Sequence, residues 1–234
     1  MTTGTDDLGQ PIGPRVEGWT PRPHPPRTPM EGATCRIEPV GIERHGGDLD
    51  AAFRADTTGR GWRYLPYGPF ATADAFADWL QSACLGHDPQ FFAVVASATA
   101  RASGLASYLR IDPPNGVIEI GHIHFAPELA RTVAATEALY LMLRRVFDEL
   151  GYRRCEWKSD ALNGASRRAA ERLGFSYEGS FRQAAVVKGR NRDTAWYALL
   201  DHEWPAAKRA FEAWLDPANF DAEGRQRRRL ADLR

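Results

Sequence analysis

The stretch VIEIGHIHFAPELARTVAATEALYLMLRRVFDELG (residues 117–151) decides how this chain folds. Because this strand, loop and helix are followed by a second strand and a second helix, the sequence predicts a parallel β-α-β unit. The predicted elements are a strand at 117–125, a loop at 126–135, a helix at 136–151, a second strand at 153–160 and a second helix at 163–175.

The start of the first predicted helix is a candidate anion site. The first backbone N–H groups of a helix lack partners within the helix, and the helix dipole favours negative charge there. Arg131 and Thr132 stand in the loop beside this end. The sequence therefore predicts that residues 130–136 hold a phosphate-bearing ligand.

Composition narrows the class of protein. The 234 residues include 30 basic and 30 acidic side chains, so no overall charge directs the chain to nucleic acid or to a membrane. No apolar run approaches the roughly 20 residues of a membrane-spanning helix, and the N-terminus has no signal pattern. We expect a cytoplasmic protein. Cys35, Cys84 and Cys155 are far apart and predict buried free thiols rather than disulfides or a metal site.

The remaining chain divides into three parts. Residues 1–33 are rich in proline and glycine and predict an extended arm, with Trp19 and Ile12 as its contacts to the domain. Residues 34–203 form the domain, and 204–234 a helical C-terminal extension whose arginine-rich end predicts a solvated helix. Within the domain and extension we predict strands at 34–40, 91–97, 102–112, 176–188 and 193–201, helices at 43–56, 72–85 and 205–215, and turns at 113–116 and 189–192.

Four segments, EIGHIHFAPEL, ATEAL, RCEWKSDALNGAS and AERLGFSYEG, resemble the GNAT superfamily of acyl-CoA-dependent N-acetyltransferases. The similarity is to the branch that acts on ribosomal-protein N-termini and related small acceptors, and it covers roughly residues 34–203. It implies an α/β (α+β) fold whose mixed, mostly antiparallel sheet is splayed at a bulge and flanked by helices on both faces. The family's Gln/Arg-x-x-Gly-x-Gly/Ala loop corresponds here to Ala130, Val133 and Ala135, and only Ala135 fits.

The resemblance implies acetyl-CoA as cosubstrate, without a metal. Its binding residues would be the end of the central strand, the loop that starts the helix, and an asparagine that binds pantetheine. These are His124, Phe125, Arg131, Thr132, Val133, Ala134, Ala135, Thr136 and Asn163.

Glu119 is the first candidate for the base that deprotonates the amine, because family members place a glutamate at a similar distance before the loop. A structural carboxylate is the alternative. His122 and His124 compete as bases, and Glu119 lies on the opposite strand face from both unless Gly121 carries a bulge. The family's tyrosine proton donor corresponds to Ala170, so Ser166 is the candidate donor; a helix-start serine without a role is the alternative.

The segment WRYLPYGPF (62–70) is the candidate acceptor wall. Trp62, Tyr64 and Tyr67, together with His122, would line the acceptor site, unless these aromatic rings seal the core. The acceptor would be a small amine, an amino acid or a peptide N-terminus, and a homodimer remains open. The sequence is compatible with two functions: an acetyltransferase, and a non-catalytic acyl-CoA-binding or scaffold protein that keeps the fold.

Overall fold

The computed structural model describes residues 4–234, so residues 1–3 of the predicted arm lie outside the described part. The seven strands predicted for the domain all form; the strand at 117–125 has the predicted bounds, and the bounds of the others differ by at most three residues at either end. Three further strands of two residues each form within residues 4–33, where the sequence predicted an extended arm. The strands are β1 (Gly4–Thr5), β2 (Pro11–Ile12), β3 (Met30–Glu31), β4 (Cys35–Pro39), β5 (Gln90–Ala96), β6 (Arg101–Asp112), β7 (Val117–Phe125), β8 (Arg154–Asp160), β9 (Ser176–Val187) and β10 (Arg190–Leu200).

Side-chain caps determine where several helices begin. Thr132 Oγ1 accepts a hydrogen bond from Ala135 N at 3.1 Å, so the third helix begins at Val133, three residues earlier than predicted. Thr72 and Asn163 cap their helices in the same way. The helices are α1 (Gly47–Arg54), α2 (Ala73–Ala83), α3 (Val133–Arg144), α4 (Gly164–Leu173) and α5 (Trp204–Leu215), and a π-helical segment, Arg145–Glu149, continues α3.

Eight strands form the central sheet, in the order β3-β4-β5-β6-β7-β8-β10-β9. Every pair is antiparallel except β7 and β8, which are parallel and pair only from Val117 to Glu119. Beyond Glu119 the two strands separate. Next to the separation, β7 carries one extra residue between Gly121 and His124, and His122 has a φ of 50°. The mixed sheet splayed at a bulge is therefore confirmed.

Helices cover both faces of the sheet, and each face has its own apolar core. On one face α3, α4 and α5 pack through Leu139, Leu173 and Phe211. On the other face α1 and α2 pack through Phe53 and Leu80. The three cysteines are buried and free, as predicted. None of the helices between residues 4 and 234 has the length and apolar character needed to cross a bilayer.

The arm is held to the domain by polar contacts as well as by its tryptophan. Trp19 donates its indole N–H to Pro114 O at 2.8 Å and so contacts the domain, as predicted. Ile12 is exposed, and its only strand partner within residues 4–234 is β1 of the arm itself, so the contact predicted for it does not form. The buried carboxylate of Glu137, on α3, accepts hydrogen bonds from the backbone N–H groups of Ala33, Thr34 and Cys35. One α3 side chain thus fixes the point where the arm enters the sheet.

The end of the chain differs from the solvated helix predicted from its arginines. Beyond α5 only two short 3-10 turns form, Pro217–Asn219 and Leu230–Leu233. Asn219 is buried and donates to both Trp214 O and Arg228 O, and Leu230 is buried in the core. The helix prediction was wrong because these two side chains bind a folded-back loop against α5.

Candidate active site

Glu119 lies on β7, at the last residue that pairs with β8. Only 3% of it is exposed, and its Oε2 accepts Arg110 Nη1 at 2.7 Å and Lys158 Nζ at 3.1 Å. Its Oε1 accepts no hydrogen bond from the described residues and faces Gly121, where a Cβ atom would lie 3.2 Å away. Burial raises the pKa of Glu119, against the opposing charges of Lys158 and Arg110.

The bulge after Gly121 turns the two strand histidines toward the side where Glu119 lies. Arg110, which donates a hydrogen bond to Glu119, is close enough for its charge to act on His122 as well. His122 Nδ1 lies 2.9 Å from Tyr67 Oη. The His124 ring packs on Trp62 at 3.8 Å between centroids. Burial lowers the pKa of both histidines to about 4, so both are neutral and weakly basic at pH 7. Of the three candidate bases, only Glu119 has a pKa displaced toward neutrality.

The predicted acceptor wall divides into a buried and an accessible part. Trp62 is only 3% exposed and packs among Phe53, Phe70 and Trp79, so most of its ring lies in the core, and its part in the acceptor wall stays a prediction. Tyr67 and Tyr64 are half-buried and hold polar contacts. The clustering of aromatic residues gave no signal to separate these two environments.

The segment 62–68, here called the aromatic loop, crosses the opening between β7 and β8. On the β7 side it contacts His122 and His124. On the other side Tyr64 Oη donates to Leu162 O at 3.2 Å. Lys188, in the turn between β9 and β10, donates to Trp62 O at 2.8 Å and to Gly68 O at 2.6 Å. The wide end of the opening is thus bridged by hydrogen bonds.

Ser166 and Asn163 lie at the start of α4, where Asn163 Oδ1 accepts Ser166 N at 3.1 Å. Capping therefore explains the asparagine in part, while its Nδ2 has no hydrogen bond within residues 4–234. Ser166 Oγ accepts the indole N–H of Trp157 at 2.9 Å. Because the indole is only a donor, the serine hydroxyl keeps its own proton available.

The start of α3 has the features of an anion site. Thr132 fills the cap position, and by helix geometry the N–H groups of Val133 and Ala134 have no intrahelical acceptor. Arg131 stands directly before the cap, with a φ of 68°. Val133, at the place of the family's glycine, is already helical and turns its side chain toward a cavity.

That cavity has a volume of about 890 Å³ and lies between α3, α4 and the C-terminal extension. Of the predicted cofactor residues, six line it: Phe125, Arg131, Thr132, Val133, Ala135 and Thr136. His124, Ala134 and Asn163 do not; the His124 ring points into the aromatic cluster, so this side chain is not a cavity ligand. Eleven further residues line the cavity and were not predicted from the sequence: Leu139, Ala165, Arg168, Ala169, Arg172, Leu173, Trp214, Phe220, Gly224, Arg225 and Gln226.

No group of three or more His, Cys, Asp or Glu side chains in the described part of the chain is arranged to hold a metal ion.

The splayed sheet, the capped start of α3 and the cavity beside it are the features of an acetyltransferase of the GNAT type. The family model of the acetyltransferase (GNAT) domain matches residues 40–176, and the chain belongs to this family.

Solved structures agree with this assignment. The chain is 50% identical to a GCN5-related N-acetyltransferase from Brucella melitensis, with 93% of this chain and 99% of that chain covered and a TM-score of 0.92. It is 43% identical to a probable GNAT-family acetyltransferase from Chromobacterium violaceum, with 84% and 98% covered and a TM-score of 0.78.

A curated relative carries a more specific name. The putative ribosomal N-acetyltransferase YdaF of Bacillus subtilis is 32% identical over 105 residues. That match spans 45% of this chain and 57% of the relative.

Proposed function

We propose that the protein transfers an acetyl group from acetyl-CoA to a primary amine, by direct attack of the amine within a ternary complex. The observation that carries the proposal is the position of Glu119 at the point where β7 and β8 part. Phe125, on the same strand, lines the cavity six residues further on. This separation is about 20 Å along a strand, a span that the pantetheine arm of the cofactor covers.

Each group has a defined task. The pyrophosphate binds the free N–H groups of Val133 and Ala134, with Arg131 beside them. The pantetheine arm lies between the separated strands and pairs with backbone groups that β7 and β8 do not use for each other. Phe125, at the end of β7, packs against the cofactor where the cavity begins.

The chemistry then requires that the amine loses its protons and that the thiolate gains one. Glu119 Oε1 takes a proton from the acceptor ammonium through a water molecule, and the free amine attacks the thioester carbonyl. The tetrahedral intermediate collapses and the C–S bond breaks as Ser166 Oγ gives its proton to the leaving thiolate. The extra proton on the new amide nitrogen returns through water to Ser166 Oγ, and Glu119 releases its proton to solvent. The products are the acetylated amine and CoA.

The acceptor is a peptide N-terminus or a small amine. A peptide acceptor is supported by the name of the YdaF relative, a putative ribosomal N-acetyltransferase. Arg192 adds a cationic group beside the opening, since its charge acts on His122, and its Nε is buried without a hydrogen bond within the described residues. An acidic or carbonyl-bearing acceptor fits that group.

The test combines binding with turnover. Calorimetry with acetyl-CoA should show micromolar binding, and a thiol-release assay should show CoA formed with at least one acceptor from a panel of peptides, amino acids and polyamines. Glu119→Gln serves as the control for background hydrolysis. Binding without CoA release or acetylated product across the panel would favour the non-catalytic acyl-CoA-binding function. Absence of any binding would overturn both.

A further inference from the structure

The cavity beside α3 is larger than a pyrophosphate site, and residues outside the matched family domain complete it. Trp214, Phe220, Gly224, Arg225 and Gln226 form one wall. All five lie beyond residue 176, where the family match ends. The C-terminal extension is therefore part of the same pocket as the start of α3.

Hydrogen bonds hold this wall in place. Trp214 Nε1 donates to Gln226 Oε1 at 2.7 Å, and Phe220 forms an isolated bridge with Gln226. Arg172 connects the three sides of the cavity, since its Nη1 donates to Thr136 Oγ1 at 3.2 Å and its guanidinium lies 5.0 Å from the centre of the Trp214 ring. These contacts give the wall a defined structure next to α3 and α4.

The cavity is cationic. Four arginines line it: Arg131, Arg168, Arg172 and Arg225. No Asp or Glu of the described residues is among the lining side chains. Arg168 makes no hydrogen bond or ion pair within residues 4–234. Arg225, with a side chain 74% exposed, is paired with Asp221 and Glu223. Arg131 stands at the α3 end, so Arg168 provides positive charge that a pyrophosphate at α3 does not use. The charge of Arg225 is balanced by its two carboxylate partners, but its Nη1 makes no hydrogen bond within residues 4–234.

We propose that the C-terminal extension recognises the 3′-phosphoadenosine end of CoA, with Arg168 and Arg225 binding the 3′-phosphate. This inference rests on the proposed use of acetyl-CoA. Guanidinium groups bind phosphate oxygens through paired, charge-assisted hydrogen bonds. The apolar part of the lining, including Phe220, Ala165 and Leu173, offers a surface for the adenine ring.

Titration calorimetry with CoA and with dephospho-CoA, which lacks only the 3′-phosphate, tests the proposal. The full-length protein should bind CoA about tenfold or more tightly than dephospho-CoA, the scale of losing a charge-assisted contact. Arg168→Ala and Arg225→Ala should each weaken CoA binding about fivefold or more and change dephospho-CoA binding less than about twofold. Both side chains are exposed, so neither change disturbs the core.

Two control variants separate the phosphates. Arg131→Ala should weaken CoA and dephospho-CoA equally, because both carry the pyrophosphate. Arg209→Ala, exposed on α5 and outside the cavity lining, should change neither. Equal affinity of the wild type for CoA and dephospho-CoA would overturn the inference and leave the proposed function intact. So would a preference for CoA that persists in both variants. Binding of neither compound would overturn the proposed function as well.

Discussion

Lys158 Nζ lies 3.1 Å from Glu119 Oε2, and the side chains of both residues are almost fully buried. Arg110 contacts the same oxygen from the other side. The two cations hold one carboxylate oxygen and leave the other, Oε1, without a hydrogen bond among the described residues. A carboxylate fixed in this way presents a single oxygen to the opening between β7 and β8, which is the geometry that a general base needs.

Replacing Glu119 by Gln should lower the acetylation rate by about 10²-fold or more, the usual share of a general base. Acetyl-CoA affinity should stay within about twofold, because Glu119 does not line the cavity beside α3. Steady-state rates and calorimetry measure the two quantities.

The matched control is Glu156→Gln. Glu156 is a buried carboxylate that bonds the same lysine, Lys158, at 2.7 Å. It should keep the rate within a few-fold of wild type, since its removal leaves Glu119 in place. If Glu119→Gln keeps both its rate and its pH profile, the base is His122 or solvent.

Gly121→Ala probes the position of the carboxylate without removing it. The new Cβ would lie 2.9 Å from Leu109 Cδ2 and 3.2 Å from Glu119 Oε1, so both side chains must move. We expect kcat to fall about tenfold with little change in the KM for acetyl-CoA, because the base is displaced from the acceptor proton. Gly47→Ala, on α1 with open space around it, should leave kcat unchanged. Wild-type kcat in Gly121→Ala would mean that the exact position of Glu119 does not matter.

Ser166→Ala tests the proton donor. Turnover should fall by about tenfold or more while acetyl-CoA affinity is kept, because the proton moves only in the transition state. The change also leaves the Trp157 N–H unpaired and should lower the free energy of unfolding by about 1–3 kcal/mol. Trp157→Phe removes the same hydrogen bond and keeps the hydroxyl. A rate loss of equal size in both variants would assign the effect to structure instead of proton transfer.

Stability should depend on pH through the histidines next to the opening. The pKa values of His122 and His124 are lowered by burial to about 4, so between pH 6.5 and 4 the unfolded chain binds protons that the folded chain does not. The free energy of unfolding should therefore fall as the pH falls through this window, by about 2–3 kcal/mol for each histidine. The raised pKa of Glu119 offsets part of this loss.

Urea unfolding at pH 7 and pH 4.5 measures that dependence. His124→Phe keeps an aromatic ring against Trp62 and Phe53 and should reduce the loss of stability between the two pH values. His202→Asn, at an exposed position, should leave it unchanged. The same loss in wild type and His124→Phe would contradict the assignment.

How far the sequence predicts this protein differs from element to element. Alternation and turn residues predicted the hairpin of β6 and β7 around residues 113–116, because these signals are local. The face of β7 on which His122 lies was not predictable from the sequence. One inserted residue moves every later side chain of a strand to the other face, and whether it is inserted depends on how β7 pairs with β6. The same holds for Trp62, because aromatic composition does not distinguish a core ring from a cleft wall.

The cavity beside α3 could be predicted only in part. Its α3 side was predicted from the helix start and the family resemblance, and Arg131 and Thr132 line it. Its other wall comes from residues about 90 positions later, and no periodic pattern links Phe220 to Thr136. The clusters of arginines in the tail were visible, but the fold of the tail depends on the buried Asn219, which bonds Trp214 O and Arg228 O and so requires the loop to fold back on α5.

The aromatic loop has a consequence for how acceptors gain access. It joins β7 to the half of the sheet that contains β8, β9 and β10, through Lys188 and Tyr64, across the place where the strands no longer bond each other. If acceptors enter here, as the proposed function requires, an acceptor larger than the remaining gap must break these hydrogen bonds, and the loop unfolds locally each time such an acceptor binds. Weaker hydrogen bonds from Lys188 would then speed the exchange of bulky acceptors. They would also lower the thermal stability of the contact between the aromatic loop and the turn that joins β9 and β10.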